Sequence, residues 1–295
     1  MRYNVSRDAE GRRGDPWSIA DQPAVPRSSM LDLEFAQLSD RGRVRKHNED
    51  YLGHVLPATP AESRTRGWLF ALADGVGGHR GGDVASRTAV ECVLAGFRAA
   101  AAGDSPSALL PELVRAANTR VYEAGLAAGP AGAGMSTTLV ACVLRFDRVV
   151  IAHVGDSRCY LIRGGRTAAL TRDHTVASEQ ARLGLLSSSE AAEVSTRHVL
   201  SRSLGSGLFV DVETSDHQMT TGDVLLLCSD GFHASVTDDD IAHLVSRRAD
   251  LASAARELVA LANQRDGSDN ISVQLVRVRS VERVGMFRGR PYRLR

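Results

Sequence analysis

Two apolar runs, residues 138–146 and 149–154, are separated only by Asp147 and Arg148. Parallel strands need a crossover of about a dozen residues or more, so a gap this short predicts an antiparallel hairpin. A third run, residues 159–163, follows closely and ends in Gly164-Gly165, a second hairpin signal. Further strands are predicted at 34–39, 51–56, 68–73, 223–229 and 271–278. Helical spacing marks 83–101, 107–127, 175–183, 189–194, 238–245 and 251–264. The first two helices are long and Ala-rich, with a break at Gly103–Pro106, and could pair on a sheet. The order lacks a βαβ alternation, which places the chain in the α+β class with antiparallel sheets.

Composition narrows the function classes. At 295 residues, 43% hydrophobic and 24% charged, the chain can bury a sizeable core. A net charge of +1 argues against a nucleic-acid binder that works by bulk electrostatics. Apolar runs such as Val224–Cys228 are far too short to span a bilayer, so no membrane partner is expected. Residues 1–30 are polar, with no signal-peptide stretch, and read as a disordered leader. The core domain is expected at 31–279 and a basic, solvated tail at 280–295. The expected location is the cytoplasm and the expected state a monomer. The 4 cysteines form no C-x-x-C pair and read as free thiols.

The acidic residues fall at strand boundaries. The runs at 68–73, 149–154 and 223–229 lead into Asp74-Gly75, Gly155-Asp156 and Asp230-Gly231. Asp269 precedes the strand at 271–278, and Asp50 opens another in Asn48-Glu49-Asp50. One Asp-Gly after a strand is commonly a turn. Several gathered on one edge would repel strongly unless a cation neutralised them. Oxygen-only donors suit a hard ion, Mg²⁺ or Mn²⁺, and no His/Cys set has zinc spacing. The glycine-rich stretch after Asp74 has neither Gly-Lys-Ser/Thr nor G-x-G-x-x-G spacing, which disfavours a nucleotide loop.

The motifs, taken in order, resemble those of the PP2C-type (PPM) Ser/Thr phosphatases, above all the bacterial single-domain members. They are Ser39-Asp-Arg-Gly-Arg-Val-Arg-Lys-His-Asn-Glu-Asp50, Ala73-Asp-Gly-Val-Gly-Gly-His79, Gly134-Met-Ser-Thr-Thr138, Val154-Gly-Asp-Ser-Arg158, Leu227-Cys-Ser-Asp-Gly231 and Gly267-Ser-Asp-Asn-Ile271. The resemblance implies a four-layer α-β-β-α sandwich, two antiparallel sheets flanked by helices. It implies two Mn²⁺ or Mg²⁺ ions and a third, weaker one. Asp74 would bridge the two ions, the Gly75 carbonyl would complete one site, and Asp230 and Asp269 would hold the other. Asp156 would join Asp230 at the third. Glu49 and Asp50 would act through bound waters, Arg45 would hold the substrate phosphate, and Asn270 would orient its neighbour.

The implied reaction is attack on phosphoserine or phosphothreonine by a metal-bridging hydroxide, with no phosphoenzyme. His79 is the candidate proton donor to the leaving alkoxide, although three residues separate it from Asp74-Gly75. His153 reads as a packed strand residue. His174 begins a segment, about 171–197, that resembles the family's flap. The implied partners are phosphorylated proteins, a Ser/Thr kinase or its targets. The alternative is a pseudophosphatase that binds phosphoproteins without cleaving them, and the full set of aspartates weighs against it.

Overall fold

The computed structural model describes residues 30–76, 81–248, 250–287 and 290–293. In chain order the strands are β1 (Asp32–Asp40), β2 (Asp50–Val55), β3 (Trp68–Val76), β4 (Ser136–Thr137), β5 (Leu139–Arg145), β6 (Arg148–Val154), β7 (Arg158–Arg163), β8 (Arg166–Ala169), β9 (Glu213–Gln218), β10 (Val224–Cys228), β11 (Ile271–Ser280), β12 (Val284–Phe287) and β13 (Arg290–Arg293). The helices are α1 (Pro60–Thr65), α2 (Gly82–Ala99), α3 (Pro106–Ala127), α4 (Val176–Arg182), α5 (Ser188–Glu193), α6 (Asp230–His233), α7 (Asp238–Arg247) and α8 (Leu251–Arg265).

Two antiparallel sheets form the centre. One runs β1-β11-β10-β7-β8 and the other β2-β3-β5-β6-β9, with β4 paired to β3. The side-chain period of two explains why they stack. In β3, Phe70 and Leu72 point into the space between the sheets, while Leu69, Ala71 and Ala73 point outward against α2 and α3. In β10, Leu225 and Leu227 point inward, and Val224, Leu226 and Cys228 face α7 and α8. Each sheet is thus apolar on both faces, and each outer face needs a helical cover. That gives the expected four layers.

The helices start where side chains can cap them. Thr237 and Asp240 form a reciprocal capping box at α7, and Asp250 accepts the Ser253 N–H at 2.8 Å at α8. Asp240 is also held by Arg265 of α8, which keeps its carboxyl well below the usual range. Among the described residues no helix is long and apolar enough to cross a membrane.

The predicted strands and helices are all present within a few residues. Among the described residues, five strands (β4, β8, β9, β12 and β13) and two short helices were not foreseen. β9 is Glu-Thr-Ser-Asp-His-Gln, with no apolar alternation, because it is an edge strand that, among the described residues, pairs only with β6. β8 is short and mostly exposed. Helices α1 and α6 are six and four residues long, below the reach of periodicity. Strands β12 and β13 pair with each other inside the segment expected as a tail. Just before them, buried Glu282 accepts two hydrogen bonds from Arg64, each 2.9 Å. The leader expected at 1–30 lies outside the described residues, apart from Met30. All four cysteines are free thiols; Cys142, Cys159 and Cys228 are buried.

Candidate functional site

The strand pairings gather the acidic residues. In the β2–β3 ladder Asp50 lies directly opposite Asp74. The Asp74 backbone is held on both sides. Its N–H donates to Thr138 Oγ1 at 3.0 Å, and its carbonyl accepts the Thr137 hydroxyl at 2.7 Å. Asp156 sits in the turn between β6 and β7. Asp230 is the first residue of α6, just past the end of β10, and Asp269 lies just before β11. The two sheets therefore each contribute carboxylates at one shared end.

The loop from β1 to β2 closes the site, and Asn270 fixes it. The Asn270 amide oxygen accepts the Glu49 N–H at 2.8 Å, and its Nδ2 donates to the Arg41 and His47 carbonyls at 2.9 Å. Its own N–H donates to Asp269 Oδ1 at 2.8 Å. Arg45 donates to Asp269 Oδ2 at 2.6 Å.

A cavity of about 970 Å³ opens here, lined by Arg45, Glu49, Asp74, Gly75, Asp156, Asp230 and Asp269 among others. Asp50 lies buried beside it, accepting a 2.8 Å hydrogen bond from the Ser229 hydroxyl. Burial, and then the charges of Asp230 and Asp269, push the Asp50 carboxyl up to about 7. Burial and the charges of Asp230 and Asp173 push Asp156 up to about 8. Asp74 is raised well above the ordinary range by burial and by its neighbours Asp50 and Asp230. Glu49 is raised too, chiefly by burial. Among the described residues, Asp50 Oδ1 and Asp230 Oδ1 are buried without a hydrogen-bond partner. Orphaned carboxylate oxygens among mutually repelling acids suit hard divalent cations.

A second group has the side-chain types of a metal site: His153, His174 and Glu213, whose donor atoms lie within 4.8 Å of one another. By that measure it converges more tightly than the aspartates, but chemistry favours the latter. The two imidazoles are stacked, 4.6 Å between centroids and 16° between planes. Ring lone pairs lie in the ring plane, so near-parallel stacked rings cannot both aim at one ion. Both nitrogens of His174 are also engaged, with the Gly155 N–H and with Glu213. The carboxylates, by contrast, repel one another, and Asp269 is turned to Arg45.

All the expected site residues in the described part of the chain meet at this place. His79 lies outside the described residues. Other contributors were missed in the sequence. Thr138 Oγ1 lies 2.7 Å from Ser157 Oγ, which links the β5 and β7 ends behind Asp74. His233 Nε2 donates to the Asp156 carbonyl at 2.9 Å, and burial lowers its pKa to about 4. It stands three residues after Asp230, one helical turn on, a spacing that could have marked it. Arg197 and His198 reach the cavity from a distant segment. Nothing local in the sequence signals that approach.

The chain crosses itself closely at Gly75. A Cβ there would overlap the Gly82 backbone at the start of α2. Gly75→Ala is expected to cost about 3 kcal/mol, as overpacking against backbone that cannot move aside. Urea unfolding measures this; an unchanged midpoint would refute it.

Residues 43–275 match the protein phosphatase 2C family. A serine/threonine phosphatase, stp, of Listeria innocua is 34% identical over 81% of this chain and 93% of its own length. The Streptococcus agalactiae serine/threonine phosphatase superposes with a TM-score of 0.74 at 31% identity, covering 84% of this chain and 100% of the other. The catalytic domain of PstP, in complex with two manganese ions, gives 0.71 at 33% identity, covering 84% and 99%. The chain belongs to the protein phosphatase 2C family. It is a protein serine/threonine phosphatase whose two sheets and helical flanks are those of its relatives.

Proposed function

We propose that the aspartate-lined cavity binds two Mn²⁺ or Mg²⁺ ions and hydrolyses phosphoserine and phosphothreonine in proteins, reversing a Ser/Thr kinase in the cytoplasm. The observation that carries this reading is the cluster of buried carboxylates with unpartnered oxygens beside Arg45. Asp74, Asp230 and Asp269, with the Gly75 carbonyl, would hold the two ions. Asp156 with Asp230 would hold a third, more weakly. Asp50 and Glu49 would act through water. Ions bound there supply Lewis acidity that activates water and offsets phosphate charge. The Arg45 side chain is partly exposed and faces the same cavity, which suits it to receive phosphoryl oxygens. No thiol is needed, in keeping with the burial of three of the cysteines.

The test is phosphate release from phosphoserine and phosphothreonine peptides, titrated with Mn²⁺ and Mg²⁺ and compared with EDTA. Equal turnover in EDTA would overturn the metal reading. Removal of phosphate from an autophosphorylated Ser/Thr kinase of the same cell tests the partner. His79 is the proposed proton donor. His79→Ala is expected to lower kcat about 10²-fold and to remove the alkaline limb of the pH–rate profile. A profile identical to the wild type assigns proton transfer elsewhere.

A further inference from the structure

The segment that resembles the family's flap, about residues 171–197, is closed at its base where residues 174–176 meet residues 199–201. The His174 carbonyl accepts the Ser201 N–H at 2.8 Å, and the Val176 N–H donates to the Val199 carbonyl at 2.8 Å. Thr175 and Leu200 form an antiparallel bridge between them. His174 also reaches into the sandwich. Its backbone N–H donates to the Gly155 carbonyl at 3.0 Å. Its Nδ1 accepts the Gly155 N–H at 3.2 Å. One residue therefore holds both backbone groups of Gly155, whose φ of +103° is a conformation few other residues adopt. The next residue is Asp156.

The ring itself is fixed. Its side chain is fully buried, at 0% exposure. With Nδ1 accepting, the hydrogen sits on Nε2 and donates to Glu213 Oε2 at 3.2 Å. Arg172 donates to the same oxygen at 3.1 Å. His153 covers one face of the ring and donates through Nε2 to the Arg172 carbonyl at 2.9 Å. A buried imidazole with both nitrogens committed has little freedom to move without breaking a bond.

We propose that His174 is a positioning residue that locks the Gly155–Asp156 turn to the base of the flap, so that the two are set as one unit. The Asp156 carboxylate is then aimed from the flap side, although no flap atom needs to touch an ion. The inference rests on the reading of Asp156 as a metal ligand. Partners behind a ligand commonly alter metal affinity 10- to 100-fold when lost.

Two isosteres separate the bonds. Asn places an amide oxygen near the position of Nδ1, and Gln places an amide N–H near that of Nε2. His174→Asn should keep the Gly155 contact, and His174→Gln should lose it. Two readouts are used on the full chain: amide hydrogen exchange without metal, and Mn²⁺ binding by calorimetry. In His174→Gln, exchange at Gly155 and Ser201 should quicken together, by about 10-fold or more. Its weakest Mn²⁺ step should loosen about 10- to 100-fold. His174→Asn should stay within about 3-fold of wild type in both. Wild-type exchange at Gly155 in His174→Gln would overturn the proposal, as would failure of Asn to preserve it. Should the Gln variant not fold, the Asn result alone decides, since loss of Gly155 protection there is fatal. A wild type lacking any Mn²⁺ step sensitive to Asp156→Asn would instead sink the ligand reading, while the metal-free exchange still judges the lock.

Discussion

Asp230→Asn is expected to lower Mn²⁺-dependent phosphate release by at least about 10³-fold and yet to raise the melting temperature of the metal-free protein. The loss follows from the place of Asp230 on the cavity wall beside Asp74 and Asp156, whose carboxyls its charge raises, with one buried oxygen unpartnered. The gain follows from the same place. The charge of Asp230 is among the causes that raise Asp50, Asp74 and Asp156. An amide of the same shape removes that charge and offers a donor to the neighbours. Relief of roughly one pKa unit is about 1.4 kcal/mol, or about 3 °C for a domain of this size. Phosphate release and thermal melts in EDTA check the two halves. Retained activity would remove Asp230 from the metal set, and a lower melting point would show that the cluster is not under mutual repulsion.

In EDTA the melting temperature should fall as the pH rises from about 7 to 8.5, by about 3–6 °C. Asp50 and Asp156 are raised to about 7 and about 8, so the folded state holds protons that the unfolded chain has already released. Their contribution is fully present below the ordinary Asp range and is lost as pH passes through those folded values. The buried histidines His153, His174 and His233 have the opposite sign, because burial lowers them and folding excludes their protons. Their effect ends once the unfolded imidazoles are neutral, near pH 7. Above that the carboxylates act with the buried thiols of Cys142, Cys159 and Cys228, which burial also raises and which carry the same sign. Saturating Mn²⁺ should flatten or reverse the slope, since cations displace the same protons. A flat EDTA curve over this window would contradict the pKa directions.

Much of this site was legible because its chemistry coincides with turn chemistry. Asp74, Asp230 and Asp269 each sit where an apolar run stops or starts; Asp230 and Asp269 flank strand ends, while Asp74 stays within β3, opposite Asp50. The register that sets Asp50 opposite Asp74 was not legible, since strand pairing is a tertiary choice. Neither was the Arg45–Asp269 pair, whose partners stand 224 positions apart. The four layers follow from strands apolar on both faces, but the sequence runs alone do not say which strands share a sheet. β9 stayed hidden for a related reason. A polar edge strand owes its existence to the neighbour it hydrogen-bonds, here β6, and not to any pattern of its own.

The three cysteines sealed in the sandwich bear on oxidative stress. The species that reacts with peroxide is the thiolate, and burial withholds it. Burial pushes Cys142 up to about 12 and raises Cys159 and Cys228 as well. Cys92, half-buried on α2, is also raised and lies outside the cavity lining. Phosphatases that attack phosphate with a cysteine are switched off when that sulfur is oxidised. On the proposed reading, a catalyst built from carboxylates and a guanidinium, with its sulfur packed away, would keep removing phosphate through the same oxidant pulse.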